Sequence, residues 1–263
     1  MTNSIFNYNL FILSNKMEER QRHWRARLMG KDIDRKRNLY YMYIQSRKDI
    51  TQEIEGIIDR DLPRTFPNIE WVKEHHADIK ALLVSYASVH KSDSYLQGFN
   101  YQASVICYVF SDTEHAAADA WWCFARIVGL IRPLIPDFNV VWFHWSRRYW
   151  LDELLKRLRK SRPQLHSIIE PQKERFSTLI TCKWFMIWFT QTVPWNDLFE
   201  LWDILIQLPS QKLLKVYTLI LHEVLKEAAP SITYKWSNEP LGTLHAILSL
   251  KVRNIQKMAN SVI

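Results

Sequence analysis

Glycine is scarce in this chain. Only five occur among 263 residues, at Gly30, Gly56, Gly98, Gly129 and Gly242, and no two are close together. A phosphate cradle of the GxGxxG or GxxxxGK(S/T) kind needs clustered glycines, so the chain has no P-loop of its own. Glycine poverty also argues against a protein built from hairpins, whose tight turns need positive φ. Cysteine is rarer still. Cys107, Cys123 and Cys182 stand singly in apolar stretches with no CxxC pair, which reads as small hydrophobes in a reduced cytosol. There is no HExxH, since His222-Glu223 is followed by Val-Leu-Lys, and the adjacent His75-His76 point to different faces of any helix. No metal site is expected. Long apolar runs are missing too: the most apolar one, Trp184 to Phe189, lies between Lys183 and Gln191, far short of a span. The segment Ile5 to Leu13 lacks a basic flank and contains Asn7 and Asn9, so it does not read as a signal peptide. The expected location is cytoplasmic.

What the chain has is aromatic and apolar mass. Hydrophobic residues make up 48%, with 12 Trp, 12 Phe and 11 Tyr, which excludes an intrinsically disordered chain. The apolar positions recur with a helical period, and period-2 alternation is absent. Asn15 with Glu18 reads as a capping box for a helix carrying Trp24 and Leu28 and stopped by Gly30. Asp49 with Gln52 opens another, ending before Pro63. Asn68 caps one through Ile79, Leu82, Leu83 and Tyr86, and Asp112 precedes one with Ala116, Ala120, Phe124 and Ile127. Further on, Leu151, Leu154, Leu155 and Leu158 share a face opposite Lys156, Arg157, Arg159 and Lys160. Trp184, Ile187 and Trp188 read as a buried helix. Leu213, Val216, Tyr217, Ile220 and Val224 define one stopped by Pro230, and a last helix runs from Leu241 to Lys257. Trp121, Trp122 and Cys123 read as core. With no repeat, low-complexity tract or linker, the expectation is an all-α protein without a sheet: an N-terminal extension over 1–17 and a single multi-helix domain over 18–263.

Two short segments break the helical pattern. In Ile58-Asp59-Arg60-Asp61-Leu62-Pro63-Arg64-Thr65-Phe66-Pro67, two prolines bracket an arginine, so a stiff turn presents Arg64. In Ser94-Tyr95-Leu96-Gln97-Gly98-Phe99-Asn100, a glycine follows a glutamine at a helix start. Read alone, the arginine is a surface ion-pair partner and the glutamine a helix-start residue.

Together these segments resemble the IxxDxxR and YxQG motifs of the TBC domain family, the GTPase-activating proteins of Rab-type small GTPases. Arg20 to Gly30 is similar to the family's R-x-x-x-W-x-x-L-x-G opening, with Trp24 as its tryptophan. Ala120-Trp121-Trp122-Cys123-Phe124 is similar to an aromatic AFW-type segment. Trp184-Phe185, Pro194 and Trp202-Asp203 follow in the order of the family's WF…P…WD block. The likeness covers about residues 18 to 230. Departures from the pattern are Ser94 before the tyrosine, Phe99 after the glycine, and Phe199-Glu200 where a basic residue is common; they bear on how the Gln97 loop sits and on the choice of GTPase.

The resemblance implies activation of GTP hydrolysis by a GTP-bound Rab, in the setting of vesicle trafficking. Arg64 would enter in trans as an arginine finger, and Gln97 as a glutamine finger in place of the GTPase's own. Arginine suits charge growing on phosphate oxygens, and glutamine can orient a water without repelling it. GTP and Mg2+ would belong to the partner, and no cofactor to this chain. Asp61 lies one turn before Arg64 and would orient it. Thr65, Tyr95, Gly98 and Asn100 would support the two finger segments. Trp24, Trp184, Phe185, Pro194, Trp202 and Asp203 form the structural motif, Trp202-Asp203 reading as a buried aromatic with a hydrogen-bonded carboxylate. The other reading keeps the fold and makes it a catalytically silent module that binds a GTPase or another partner. The basic excess, +8 overall, concentrates in residues 16–37, with nine Lys and Arg against four acids. It reads as a solvated helical face, or as attraction to the anionic endomembrane surfaces where such GTPases reside. Nucleic acid is not expected as a partner: Trp142, Trp145, Tyr149 and Arg147-Arg148 interleave aromatic and basic residues, but Asp152 and Glu153 follow at once.

Overall fold

The structure, a computed structural model, describes residues 16–45, 52–90, 95–132 and 140–236, with 246, 247 and 250. Asn15, Asp49, Ser94 and nearly all of the helix expected over Leu241–Lys257 lie outside the described residues, as do the side chains of Trp142, Trp145, Arg147 and Arg148. Among the described residues every regular element is helical and none is a strand, so the fold is all-α. The chain divides into two compact units, Met1–Gly129 and Leu130–Ile263.

In the first unit, α1 (residues 16–24) runs into a π turn, Arg25–Met29, and stops at Gly30, where φ is 70° and the backbone N–H donates to Arg25 O. There follow α2 (Ile33–Gln45), α3 (Gln52–Asp61), a 3-10 turn (Leu62–Arg64), α4 (Glu70–Glu74), α5 (His76–Val89), α6 (Phe99–Phe110) and α7 (Ala116–Ile131). Their apolar stripes bury Trp24, Ile58, Ile79, Leu83, Phe110, Phe124 and Ile127. The basic N-terminal segment is fastened by an anion. Asp119 on α7 is fully buried and accepts from Arg37 Nε and Nη2, both at 2.8 Å, and from Arg25 Nη1 at 3.2 Å. A buried carboxylate is tolerable only when paired in this way.

One helix expected from Asn68 onward is two. Ile69, not Asn68, precedes α4, and no side chain caps it. His75 then breaks the helix, leaving helical dihedrals at φ −109° and ψ 22°, while its Nδ1 lies 2.8 Å from Trp71 O and its ring stacks on Trp71 at 4.0 Å. With residue and carbonyl locked together, the chain restarts as α5. Trp122, expected in the core, is half-buried, because its indole Nε1 donates to Lys36 O at 2.6 Å at the rim of α2 and α7.

The second unit contains α8 (Val140–Ser161), α9 (Pro163–Ile169), a 3-10 turn (Glu170–Gln172), α10 (Lys173–Ile180), a π turn (Thr181–Phe185), α11 (Trp195–Leu205) and α12 (Ser210–Trp236). The leucine face of α8 (Leu151, Leu154, Leu155, Leu158) is buried, and α8 and α12 form the unit's main helix pair. Ile187 and Trp188 are buried as expected, but not in a helix. Trp188 and Phe189 take φ of 49° and 62° in a turn, a conformation that disfavours side chains with a Cβ. Packing overrides that preference: Trp188 O accepts from Trp202 Nε1 at 3.1 Å, and the two indoles meet edge to face at 5.1 Å. Cys182, read as a small hydrophobe in an apolar stretch, is exposed.

Pro230 does not stop α12, which continues to Trp236. A proline inside a helix leaves the carbonyl four residues back without its donor. Here that carbonyl is Lys226 O, and Arg162 Nε donates to it at 2.9 Å. The orphaned acceptor is satisfied from a neighbouring segment, so the helix survives.

Candidate functional site

Helix α3 ends at Asp61 because Pro63 has no N–H to extend it. The 3-10 turn closes with Thr65 N–H on Leu62 O at 2.9 Å. Thr65 Oγ1 donates to Asp61 O at 2.7 Å, satisfying a carbonyl left over at the helix end. The turn leaves Arg64 with 59% of its side chain exposed, while Asp61 is 1% exposed. The Arg64 guanidinium donates to Asp61 Oδ1.

The second segment approaches from α6. Gly98 sits just before the helix with φ of 111°, a region open to glycine and costly for other residues. Its N–H donates to Asn100 Oδ1 at 3.1 Å. Asn100 Nδ2 donates to Thr65 Oγ1 at 2.6 Å. Tyr95 O–H donates to Asp61 Oδ2 at 2.6 Å and lies 3.3 Å from Asn100 Oδ1. Each proton has one destination: Gly98 to Asn100, Asn100 to Thr65, Thr65 to the Asp61 carbonyl, Tyr95 to the Asp61 carboxylate. Two segments more than thirty residues apart thus share one frame, whose members Asp61, Thr65, Gly98 and Asn100 are buried. Gln97 rides on that frame exposed, and its carboxamide has no partner among the described residues.

Charge follows the geometry. The hydrogen bond to Asp61 raises the Arg64 pKa further above its ordinary value, so the guanidinium is always charged. Burial, then the hydrogen bond to Asp61, pushes the Tyr95 phenol well above its ordinary range, so it remains a donor. An exposed guanidinium and an exposed carboxamide held on a buried frame can meet an anionic group and orient a water beside it.

Every residue named for this site from the sequence is therefore brought together: Asp61, Arg64, Thr65, Tyr95, Gln97, Gly98 and Asn100. Two contributors were missed. Tyr101 O–H donates to the Arg64 carbonyl at 3.1 Å, and its ring meets Phe66 edge to face at 5.0 Å. Phe66 itself takes φ of 43°. No spacing rule links Tyr101 to Arg64, 37 positions away, so the sequence carried no signal for it. The remaining motif residues support cores. Trp24 is fully buried in the first unit. In the second, Trp184, Phe185 and Trp202 are fully buried, Pro194 O accepts from Asp197 N–H at 3.0 Å to start α11, and Asp203 is half-buried on that helix.

The Rab-GTPase-TBC domain model matches residues 12–229. The chain belongs to that family. Among curated TBC proteins, it is 28% identical over 153 residues to TBC1 domain family member 2B of Mus musculus, covering 56% of this chain and 15% of that protein. It is 29% identical over 190 residues to growth hormone-regulated TBC protein 1-A of Danio rerio, covering 68% of this chain and 50% of that protein. The chain thus spans half or less of these TBC relatives. The crystal structure of the Ypt/Rab-GAP domain of Gyp1p shares the fold, with a TM-score of 0.67 at 14% identity over 91% of this chain and 85% of that one.

Proposed function

We propose that this TBC protein activates GTP hydrolysis by a GTP-bound Rab-type GTPase, with Arg64 as arginine finger and Gln97 as glutamine finger. The observation that carries the reading is the shared frame: the only exposed side chains among the named site residues are the arginine and the glutamine, and both are anchored by the same buried hydrogen bonds. In phosphoryl transfer, charge spreads over phosphate oxygens while a water must attack in line. Arg64 supplies fixed positive charge and several donors to those oxygens. Gln97 both accepts from and donates to water, holding it without adding charge. On docking, Arg64 exchanges its Asp61 contact for phosphate, while Tyr95 and the Thr65–Asn100 bond keep the turn in place. GTP and Mg2+ remain the partner's. The basic segment 16–37 supports work beside anionic endomembranes, where exposed Lys31 and Arg35 would face lipid headgroups.

Single-turnover hydrolysis by a panel of GTP-loaded Rab proteins tests the proposal. One Rab is expected to respond to the wild type; Arg64→Ala should remove about a thousandfold of the stimulation, and Gln97→Ala about a hundredfold. If a Rab binds the folded protein with no acceleration, the fold serves as a silent binding module and the catalytic reading falls.

A further inference from the structure

Helices α2, α4, α5, α6 and α7 of the first unit surround a cavity of about 280 Å³, close to the lower end of the roughly 300–1,000 Å³ typical of small-molecule sites. None of Asp61, Arg64, Tyr95, Gln97 or Asn100 lines it. The space exists because Ala81, Ala116, Ala117 and Ala120, which line it, leave nothing beyond a methyl. Its walls include two aromatic residues, Tyr40 and Trp71. Trp71 is held rigid, stacked on His75 at 4.0 Å and edge-on to Tyr108 at 5.0 Å.

The charge here runs against the rest of the protein. The chain carries +8, yet no Lys or Arg lines this cavity, while Asp78 and Asp112 do, with His75 beside them. Both carboxylates belong to exposed residues, and neither has an ion-pair or hydrogen-bond partner among the described residues. Trp71 and Tyr40 give the pocket apolar walls, and the two carboxylates give it an attraction for a cation. Carboxylates at the same place add charge-assisted hydrogen bonds to an ammonium group, and the alanine-lined space accepts an apolar stem.

We propose that this cavity is a binding site for a small primary amine with an apolar or aromatic stem. The stem occupies the space beside the alanines and aromatic walls, and the ammonium lies beside Asp78 and Asp112. The proposal is independent of the finger mechanism.

Calorimetric titration of the whole chain with phenethylamine tests it, with 2-phenylethanol as neutral and phenylpropionate as anionic comparison. The amine should bind at one site, the alcohol about tenfold more weakly, in keeping with the loss of a charged hydrogen bond, and the anion not at all. The double variant Asp78→Asn with Asp112→Asn should weaken amine binding about tenfold by the same reasoning, while leaving the alcohol unaffected. Ala116→Leu, filling the cavity, should abolish both. Equal affinity for amine and alcohol, an amine affinity indifferent to the double asparagine variant, or no amine binding by the folded protein each overturns the proposal. The asparagine changes lie on exposed residues, so the test holds even if Ala116→Leu fails to fold.

Discussion

Arg64 rests on a carboxylate of its own chain, and that contact separates two kinds of residue at this site. Gln97 faces solvent with no partner among the described residues, so Gln97→Ala should shift stability by no more than about 0.5 kcal/mol, whereas Arg64→Ala leaves the buried Asp61 carboxylate with one charged donor fewer and should destabilise the protein. Tyr95 and Gly98 belong to the frame beneath them. Tyr95→Phe removes the hydroxyl that reaches Asp61 at 2.6 Å and should cost about 1 kcal/mol. Gly98→Ala places a Cβ at φ of 111° and should cost about 1–2 kcal/mol. Urea denaturation measures both, and hydrolysis assays on the same variants should show kcat falling with little change in Rab affinity, since the frame positions groups that bind elsewhere. A large stability loss in Gln97→Ala would break this division. The identities of the site residues were legible in the sequence through their spacing and resemblance. The routing of protons among them was not, because Asn100 meets Thr65 only after α3 and α6 have packed, and Tyr101 has no motif to announce it.

At the scale of elements, local rules read well until a side chain from elsewhere intervened. Gly30 ends a helix and Pro63 ends α3, because both signals act through the backbone they sit in. Pro230 obeys the same local rule, but Arg162 cancels it from another segment. Arg162→Ala should therefore cost about 1–2 kcal/mol by leaving Lys226 O unpaired. In a Pro230→Ala background, where residue 230 regains its own donor, the same change should cost less than half as much. A double-mutant cycle in urea measures the coupling, and strict additivity would refute it. Helices α8 and α12 also meet at a titratable residue. Ser161 Oγ lies 3.0 Å from His222 Nε2, and His222 Nδ1 lies 3.0 Å from Glu223 Oε1. Burial lowers the His222 pKa below its ordinary 6.5. The unfolded chain then binds the proton first as pH falls, so stability declines below about pH 6.5 until the folded-state pKa is passed. Thermal melts at pH 7.5 and pH 5.5 should show a larger drop for wild type than for His222→Gln. Equal drops would assign the acid sensitivity to other groups.

Across the whole molecule, the charge balance that looks like a surface property in the sequence is partly internal. Nine bases crowd residues 16–37, yet Arg25 and Arg37 are spent on Asp119, 94 and 82 positions away. No spacing rule connects them, which is why the segment read as a solvated face or a membrane-attracting one. Asp119→Asn should destabilise the protein by about 2 kcal/mol, less than the full cost of stranding buried charge, because both arginines retain some access to water. Hydrogen exchange should rise in α1 and α2 before it rises in α5; uniform exchange across the first unit would contradict the fastening role. The proline in α12 carries a different kind of consequence, one written in descent. Because Arg162 completes a helix that Pro230 would otherwise injure, each residue sets the value of the other. A lineage that loses the proline is released from keeping the arginine, and one that loses the arginine first is handicapped. The two positions, far apart in the chain, should therefore change as a pair among close relatives.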